Sequence, residues 1–270
     1  MTKKAIFLII LLLLAAPLSG IRISPGVFTA RNVPVGEKTS FGVNLLCYND
    51  SDSEKLFVVE KSFPSRVKKN WLKGYSDIPD TSFFILDAPE TLIAPPGEPA
   101  RAAMYIDIPD DERFYNQHWA ISLVVKEISE GMFQTAIATL YFIETESKGN
   151  VSSVPFGELA VLPAVVAMEE KKGEFVLFNN GSARQKIALT LKEPALETDR
   201  VHIEISDGFK PLPVDCIKVS PKKLTLAPGK KRTIKLKLKE ELPDTISSYE
   251  CFLMIDGEDA RNFVRVRVER

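Results

Sequence analysis

Leu92-Ile93-Ala94-Pro95-Pro96-Gly97 runs on to Ala102-Ala103-Met104-Tyr105-Ile106-Asp107-Ile108-Pro109-Asp110. A second rendering follows later in the chain: Leu226-Ala227-Pro228-Gly229, then Thr233-Ile234-Lys235-Leu236-Lys237-Leu238, closing on Leu242-Pro243-Asp244. Each copy is an apolar stretch, a Pro-Gly turn and a run with an apolar residue at every second position. Such a run reads as a strand entered through a tight turn. Gly97 and Gly229 lie 132 positions apart. Asn49 with Asn180 (131), Trp119 with Tyr249 (130) and Pro109 with Pro243 (134) keep nearly the same offset. Solenoid repeats are about 20–50 residues long, so an interval of this size marks a duplicated domain.

The 270 residues accommodate two such domains. With 45% hydrophobic and 26% charged residues the chain is globular rather than disordered. Lys3 and Lys4, the apolar run Ala5 to Ala16, and Pro17-Leu18-Ser19-Gly20 have the layout of a secretory signal peptide over residues 1–20. That run is short for a bilayer span, which takes about 20 residues, so no stable membrane span is expected after cleavage. The expected boundaries are 21–147 for the first domain, 148–156 for the linker and 157–270 for the second.

The rest of the chain reads as strands. Val43 to Tyr48 ends in Asn49-Asp50-Ser51-Asp52-Ser53, and Glu174 to Phe178 ends in Asn179-Asn180-Gly181-Ser182. An apolar run stopped by Asn, Asp, Gly and Ser is a strand entering a turn. Lys55 to Phe63, Ser82 to Leu86, Ala102 to Ile108, Trp119 to Val125 and Phe133 to Phe142 are further strands of the first half. Leu159 to Met168, Lys186 to Leu191, Val201 to Ile205, Cys216 to Val219, Thr233 to Leu238, Tyr249 to Ile255 and Phe263 to Val268 complete the second. Ser65 to Asp80 is an irregular insertion with room for a short helix. About seven short strands per half define an all-β chain of two tandem immunoglobulin-like β-sandwich domains behind a signal peptide. The linker is too short for free tumbling, so contact between the domains is expected.

The composition offers little to a catalyst. His118 and His202 are the only histidines, without metal-ligand spacing, and no nucleophile elbow, phosphate loop or dinucleotide fingerprint occurs. We expect no enzyme, no cofactor and no metal. The stretch 21–150 carries 13 basic and 18 acidic residues, and 151–270 carries 20 and 18. Neither balance is that of a nucleic-acid binder. In the second half, Lys235, Lys237 and Lys239, and Arg265 and Arg267, alternate with buried-type residues; they read as a solvated basic face, with lysines that also discourage edge pairing. Of Cys47, Cys216 and Cys251, only Cys216 and Cys251 share a domain. Spacing leaves open whether they form a disulfide.

The segment Ile23 to Glu144 resembles the N-terminal immunoglobulin-like domain of periplasmic pilus chaperones, the PapD-like family. The strand ending in Asn49-Asp50, the turn Ala94-Pro95-Pro96-Gly97, the strand Trp119 to Val125 and the long last strand Phe133 to Phe142 carry the resemblance. It implies a two-domain, boomerang-like periplasmic protein without catalysis, whose N-terminal domain lends its final strand to an incomplete subunit. The family anchors the subunit's terminal carboxylate with an Arg on the first strand and a Lys on a later one. Here Ile23-Ser24-Pro25-Gly26 has no Arg, although Arg22 and Arg31 flank it, and Ala136 to Phe142 has no Lys.

The expected function is that of an exported, non-catalytic protein of the bacterial envelope, periplasmic or extracellular. It would bind an envelope protein partner by strand pairing. The expected contact residues are Gln134, Ala136, Ile137, Ala138, Leu140 and Phe142. The same strand also reads as covered on both faces. Two other roles compete: a structural or adhesive module without a client, and a carbohydrate-binding accessory module using Trp71, Tyr75, Phe83 and Phe84 if those are exposed.

Overall fold

The structure, a computed structural model, describes residues 21–68, 72, 74–128, 135–193, 203–240, 242 and 246–269. Residues 1–20, Trp71, Phe133, Gln134, Val201, His202, Pro243 and Asp244 therefore lie outside the described residues. Among the described residues, ten strands form each half. The first half holds β1 (Arg22–Ser24), β2 (Val27–Val33), β3 (Lys38–Tyr48), β4 (Lys55–Ser62), β5 (Ser76–Asp77), β6 (Phe84–Asp87), β7 (Thr91–Ala94), β8 (Ala100–Asp107), β9 (His118–Ile128) and β10 (Ala136–Thr145). The second holds β11 (Leu159–Leu162), β12 (Val165–Ala167), β13 (Lys172–Asn179), β14 (Gln185–Lys192), β15 (Lys210–Pro211), β16 (Ile217–Ser220), β17 (Lys223–Leu226), β18 (Lys230–Leu238), β19 (Ser248–Asp256) and β20 (Arg261–Glu269).

The two halves have one topology. The first pairs β1-β3-β8-β6 in one sheet and β2-β10-β9-β4-β7 in the other, with β5 beside β9. The second repeats both orders with every strand number raised by ten. Two stacked antiparallel sheets with parallel β2–β10 and β12–β20 closures make each half an immunoglobulin-like sandwich. The Ser65–Asp80 insertion carries one helical turn, Pro64–Lys68.

Each half closes its own core. Leu45, Cys47, Phe57, Phe84, Trp119, Ile121 and Tyr141 anchor the first; Val161, Phe175, Leu177, Ile234, Cys251, Leu253 and Val264 anchor the second. Burial of each such side chain is worth about 1.5–3 kcal/mol. Gly97 and Gly229 both sit at positive φ (73° and 67°), the conformation that turn demands of glycine.

Three expectations need correction, and one open question closes. Leu159 to Met168 is not one strand: Pro163 lacks an N–H for the ladder, and the chain crosses from β11 in one sheet to β12 in the other. The described part of Val201 to Ile205 is not strand. Asn49 is matched by Asn179, one residue before the expected position. Both side chains are buried and donate from Nδ2 across the turn, Asn49 to Ala94 O at 2.9 Å and Asn179 to Leu226 O at 2.9 Å. Cys216 and Cys251 are unbridged. Cys251 points into the core from β19, whereas Cys216 sits just before β16 in the opposite sheet.

Candidate binding edge and the joint beside it

β10 meets β9 along its length, from Ala136 opposite Lys126 to Glu144 opposite His118. Its other side is paired for only part of that length. β2 joins at Leu140, opposite Val27, and continues to Thr145. The break has a local cause. Pro25 and Gly26 precede β2, and the Thr139 hydroxyl donates to the carbonyls of Pro25 and Gly26 at 2.7 and 2.8 Å. The Leu140 amide donates to Gly26 O at 3.1 Å, so even-numbered residues of β10 direct main-chain groups toward the β2 side. Ala136 and Ala138 therefore present N–H and C=O groups to a side that no strand among the described residues occupies.

Ala136 is exposed, and Ile137 and Ala138 are half-buried. Val27 beside them is 54% exposed. Leu140 and Phe142 do not belong to this surface. They are 2% and 1% exposed and packed between the two sandwiches. Their expected partner pockets are filled by the second half of the same chain. Tyr141 and Ile143 fill the first core from the opposite face. The strand is thus covered on both faces from Thr139 onward.

The joint starts as an apolar cluster. Tyr75, Ala120, Leu140 and Phe142 of the first sandwich pack against Ile203, Phe252, Met254 and Phe263 of the second. Gly74 enables the approach. It has φ +99°, and a Cβ there would lie 2.9 Å from Phe263 Cδ1 and 3.2 Å from Met254 Cε.

A buried ion network sits beside the cluster. Arg265 of β20 grips Glu144 of β10 through Nε and Nη2, both at 2.6 Å. Its Nη1 donates to Glu250 Oε2 at 2.8 Å and to Glu204 O at 3.0 Å. Arg267 Nε binds the other Glu250 oxygen at 2.8 Å, and Ser206 donates to Glu250 from both its amide and its hydroxyl. The Tyr75 hydroxyl completes the Glu144 shell at 2.6 Å. Burial pushes the Glu144 carboxyl up, but the Arg265 guanidinium, with His118 and the Tyr75 hydroxyl, outweighs it and holds Glu144 below the usual carboxylate range. Burial likewise opposes the charge on Arg265, and Glu144 and Glu250 reverse that effect. A bidentate pair with its remaining lone pairs satisfied is the arrangement in which buried charges are tolerated. Arg31 adds a rim contact to Glu204 at 2.8 Å. Arg22 pairs with Asp50 at the surface.

His118 closes the other flank. Its Nδ1 lies 2.9 Å from Asn262 Oδ1, and its ring stacks on Phe263 at 3.7 Å. Asn262 Nδ2 is committed to Leu159 O at 2.7 Å, so Oδ1 faces the ring and Nδ1 carries the proton. Burial drops His118 to about 4. The linker is fastened too: Asn116 Oδ1 accepts from Ser147 Oγ and from the amides of Lys148 and Ala164.

Sequence reasoning gave contact between the domains but missed the residues that make it. Arg265 reads as part of a solvated basic face, yet it is 1% exposed. The available signal was a charge on each of several apolar strands: Glu144 after Phe142-Ile143, Glu250 before Cys251-Phe252, and Arg265 between Val264 and Val266. Among the aromatic candidates for sugar contact, Tyr75 and Phe84 are buried and Phe83 packs against the first core. No cluster of three potential metal ligands occurs among the described residues. No helix among them is long and apolar enough to cross a membrane.

The architecture is that of two tandem immunoglobulin-like sandwiches. No protein-family model matches the chain, and no curated protein matches it. A protein of unknown function from Porphyromonas gingivalis W83 shares 12% identity over 93% of this chain and 100% of its own, with a TM-score of 0.38. The periplasmic chaperone SfaE shares 13% over 93% of this chain and 99% of its own, at 0.33. A PapD-like domain of human CEP192 is similar to 48% of this chain over 87% of its own length, with 11% identity and a TM-score of 0.35. These are likenesses of fold alone.

Proposed function

We propose that this chain is a non-catalytic, exported protein-binding protein of the bacterial envelope, chaperone-like in action, which takes a partner segment as an added strand beside Ala136–Thr139. The single observation that carries this reading is the half-open flank of β10. Main-chain donors and acceptors of Ala136 and Ala138 face outward, while the rest of the strand is locked between β9 and β2. An added strand would satisfy those groups, and side chains at alternate positions would meet Ala136, Ala138 and Val27. The fastened joint supports this role because it holds the edge in a fixed setting.

The test is capture by a photo-crosslinking amino acid at position 136 in cells. A single defined protein should be trapped, and Ala138→Pro, which removes one outward N–H, should abolish the trapping while the fold remains intact by circular dichroism. Trapping of the same protein at undiminished yield by Ala138→Pro contradicts the reading.

A further inference from the structure

One face of the second sandwich is set with lysines that the fold does not require. Ile234, Leu236 and Leu238 of β18 are buried, so Lys235 and Lys237 project from the opposite side. Lys237 stands directly opposite Lys172 of β13 on one flank and Lys218 of β16 on the other. This places three ammonium groups in one row across neighbouring strands, about 5 Å apart at the backbone. Like charges directly opposite destabilise a sheet. Glu174 stands directly opposite Lys235, and Glu169 and Glu170 line the same groove, whereas Lys172, Lys218 and Lys237 face only one another across the three strands.

Two bland explanations do not account for the row. β18 lies between β13 and β16, so Lys235 and Lys237 do not guard a sheet edge; Lys218 alone lies on the edge strand β16. The duplicated architecture supplies an internal control: at the repeat offset of 132, Ala103 and Tyr105 of β8 occupy the places of Lys235 and Lys237. The same strand in the same fold thus does without them. Beyond Thr233 the same face of β18 continues to Lys231, opposite Phe178. Lys231 and Phe178 line a groove with Val154 and Phe156, which are 50% and 43% exposed.

We propose that this face docks on an anionic lipid bilayer, with the lysines above the headgroups and Val154 and Phe156 entering the interface. Compact ammonium charges on a flat sheet suit a diffuse anionic plane. An acidic polymer in water would leave the two exposed apolar side chains without a role, and a bilayer uses both chemistries. The proposal is independent of the strand-pairing edge, which lies on the other sandwich.

The experiment is co-sedimentation of the full chain, as cells produce it, with phosphatidylcholine vesicles with and without phosphatidylglycerol. An apolar amino-terminal segment would bind both kinds of vesicle, so the difference between them isolates the face. Binding should require phosphatidylglycerol and vanish at high salt. Replacing three lysines (K172Q, K218Q and K237Q) should weaken it roughly a hundredfold, and F156S should weaken it further. The lysine sites are exposed and leave the core untouched, whereas Phe156 also meets Phe114 edge-on, and an unchanged melting temperature verifies each variant. Equal binding to both vesicles, no binding to either, wild-type affinity in the triple variant, or binding to polyglutamate in preference to vesicles each overturns the proposal.

Discussion

Glu144 and Arg265 form a buried ion pair beside the apolar cluster between the sandwiches, and they tie β10 of one half to β20 of the other. Arg265→Met leaves the buried Glu144 carboxylate without its ion partner and Glu250 with only Arg267 and Ser206. It should cost about 3–5 kcal/mol in urea unfolding. Gly74→Ala forces a methyl against Phe263 from a left-handed backbone and should cost about 1–3 kcal/mol by the same measurement. His118 sets a pH limit. It titrates at about 4 in the folded chain against 6.5 ordinarily, so between those values the unfolded chain binds more protons. Stability is therefore full above the ordinary value and falls as pH drops, by up to about 1.4 kcal/mol per unit. Glu144, held below its ordinary range, adds to the loss at still lower pH. Urea titrations across the acid range should show this slope, and His118→Gln should flatten its upper part. Burial pushes the Cys47 and Cys251 thiols up to about 12 and leaves Cys216 partly exposed. A thiol reagent should modify only Cys216 in the native chain.

At the scale of elements, β10 serves two ends. From Leu140 onward it is a core and joint strand; before Leu140 it is an open edge. The alternation of Thr135 to Phe142 revealed that both faces are covered, because neither face is polar. It could not reveal the change in pairing along the strand, which depends on where β2 begins, more than a hundred residues earlier. The same limit explains Pro163: the sequence showed the apolar stretch but not which sheet each half would join. Strands with a long alternating pattern, β18 and β20 above all, were legible because one buried face imposes the period. Short edge strands such as β7 and β17 bury too little to leave that mark. Ala138→Pro should destabilise the chain by no more than about 1 kcal/mol, because the lost N–H has no partner, whereas a proline at Leu140 removes the bond to Gly26 and should cost about 3 kcal/mol or more. Thermal melts of the two variants separate these outcomes.

At the scale of the whole molecule, duplication was legible because turns are written in Gly, Pro and Asn, which keep their spacing. The joint was not, because the partners of Glu144, His118 and Gly74 lie more than a hundred residues away and each has a commoner surface reading. Eight apolar side chains, a bidentate ion pair and a fastened linker make the two sandwiches one cooperative body. Calorimetry should give a single transition near neutral pH, and two in acid once His118 and Glu144 are protonated. The central claim is that the unpaired flank of β10 at Ala136–Thr139 takes an added strand. Residue-resolved amide hydrogen exchange along β10 in the free protein tests it most directly. Leu140 and Phe142 should be strongly protected while Ala136 and Ala138 exchange fast, and protection of Ala138 equal to that of Leu140 would contradict the account.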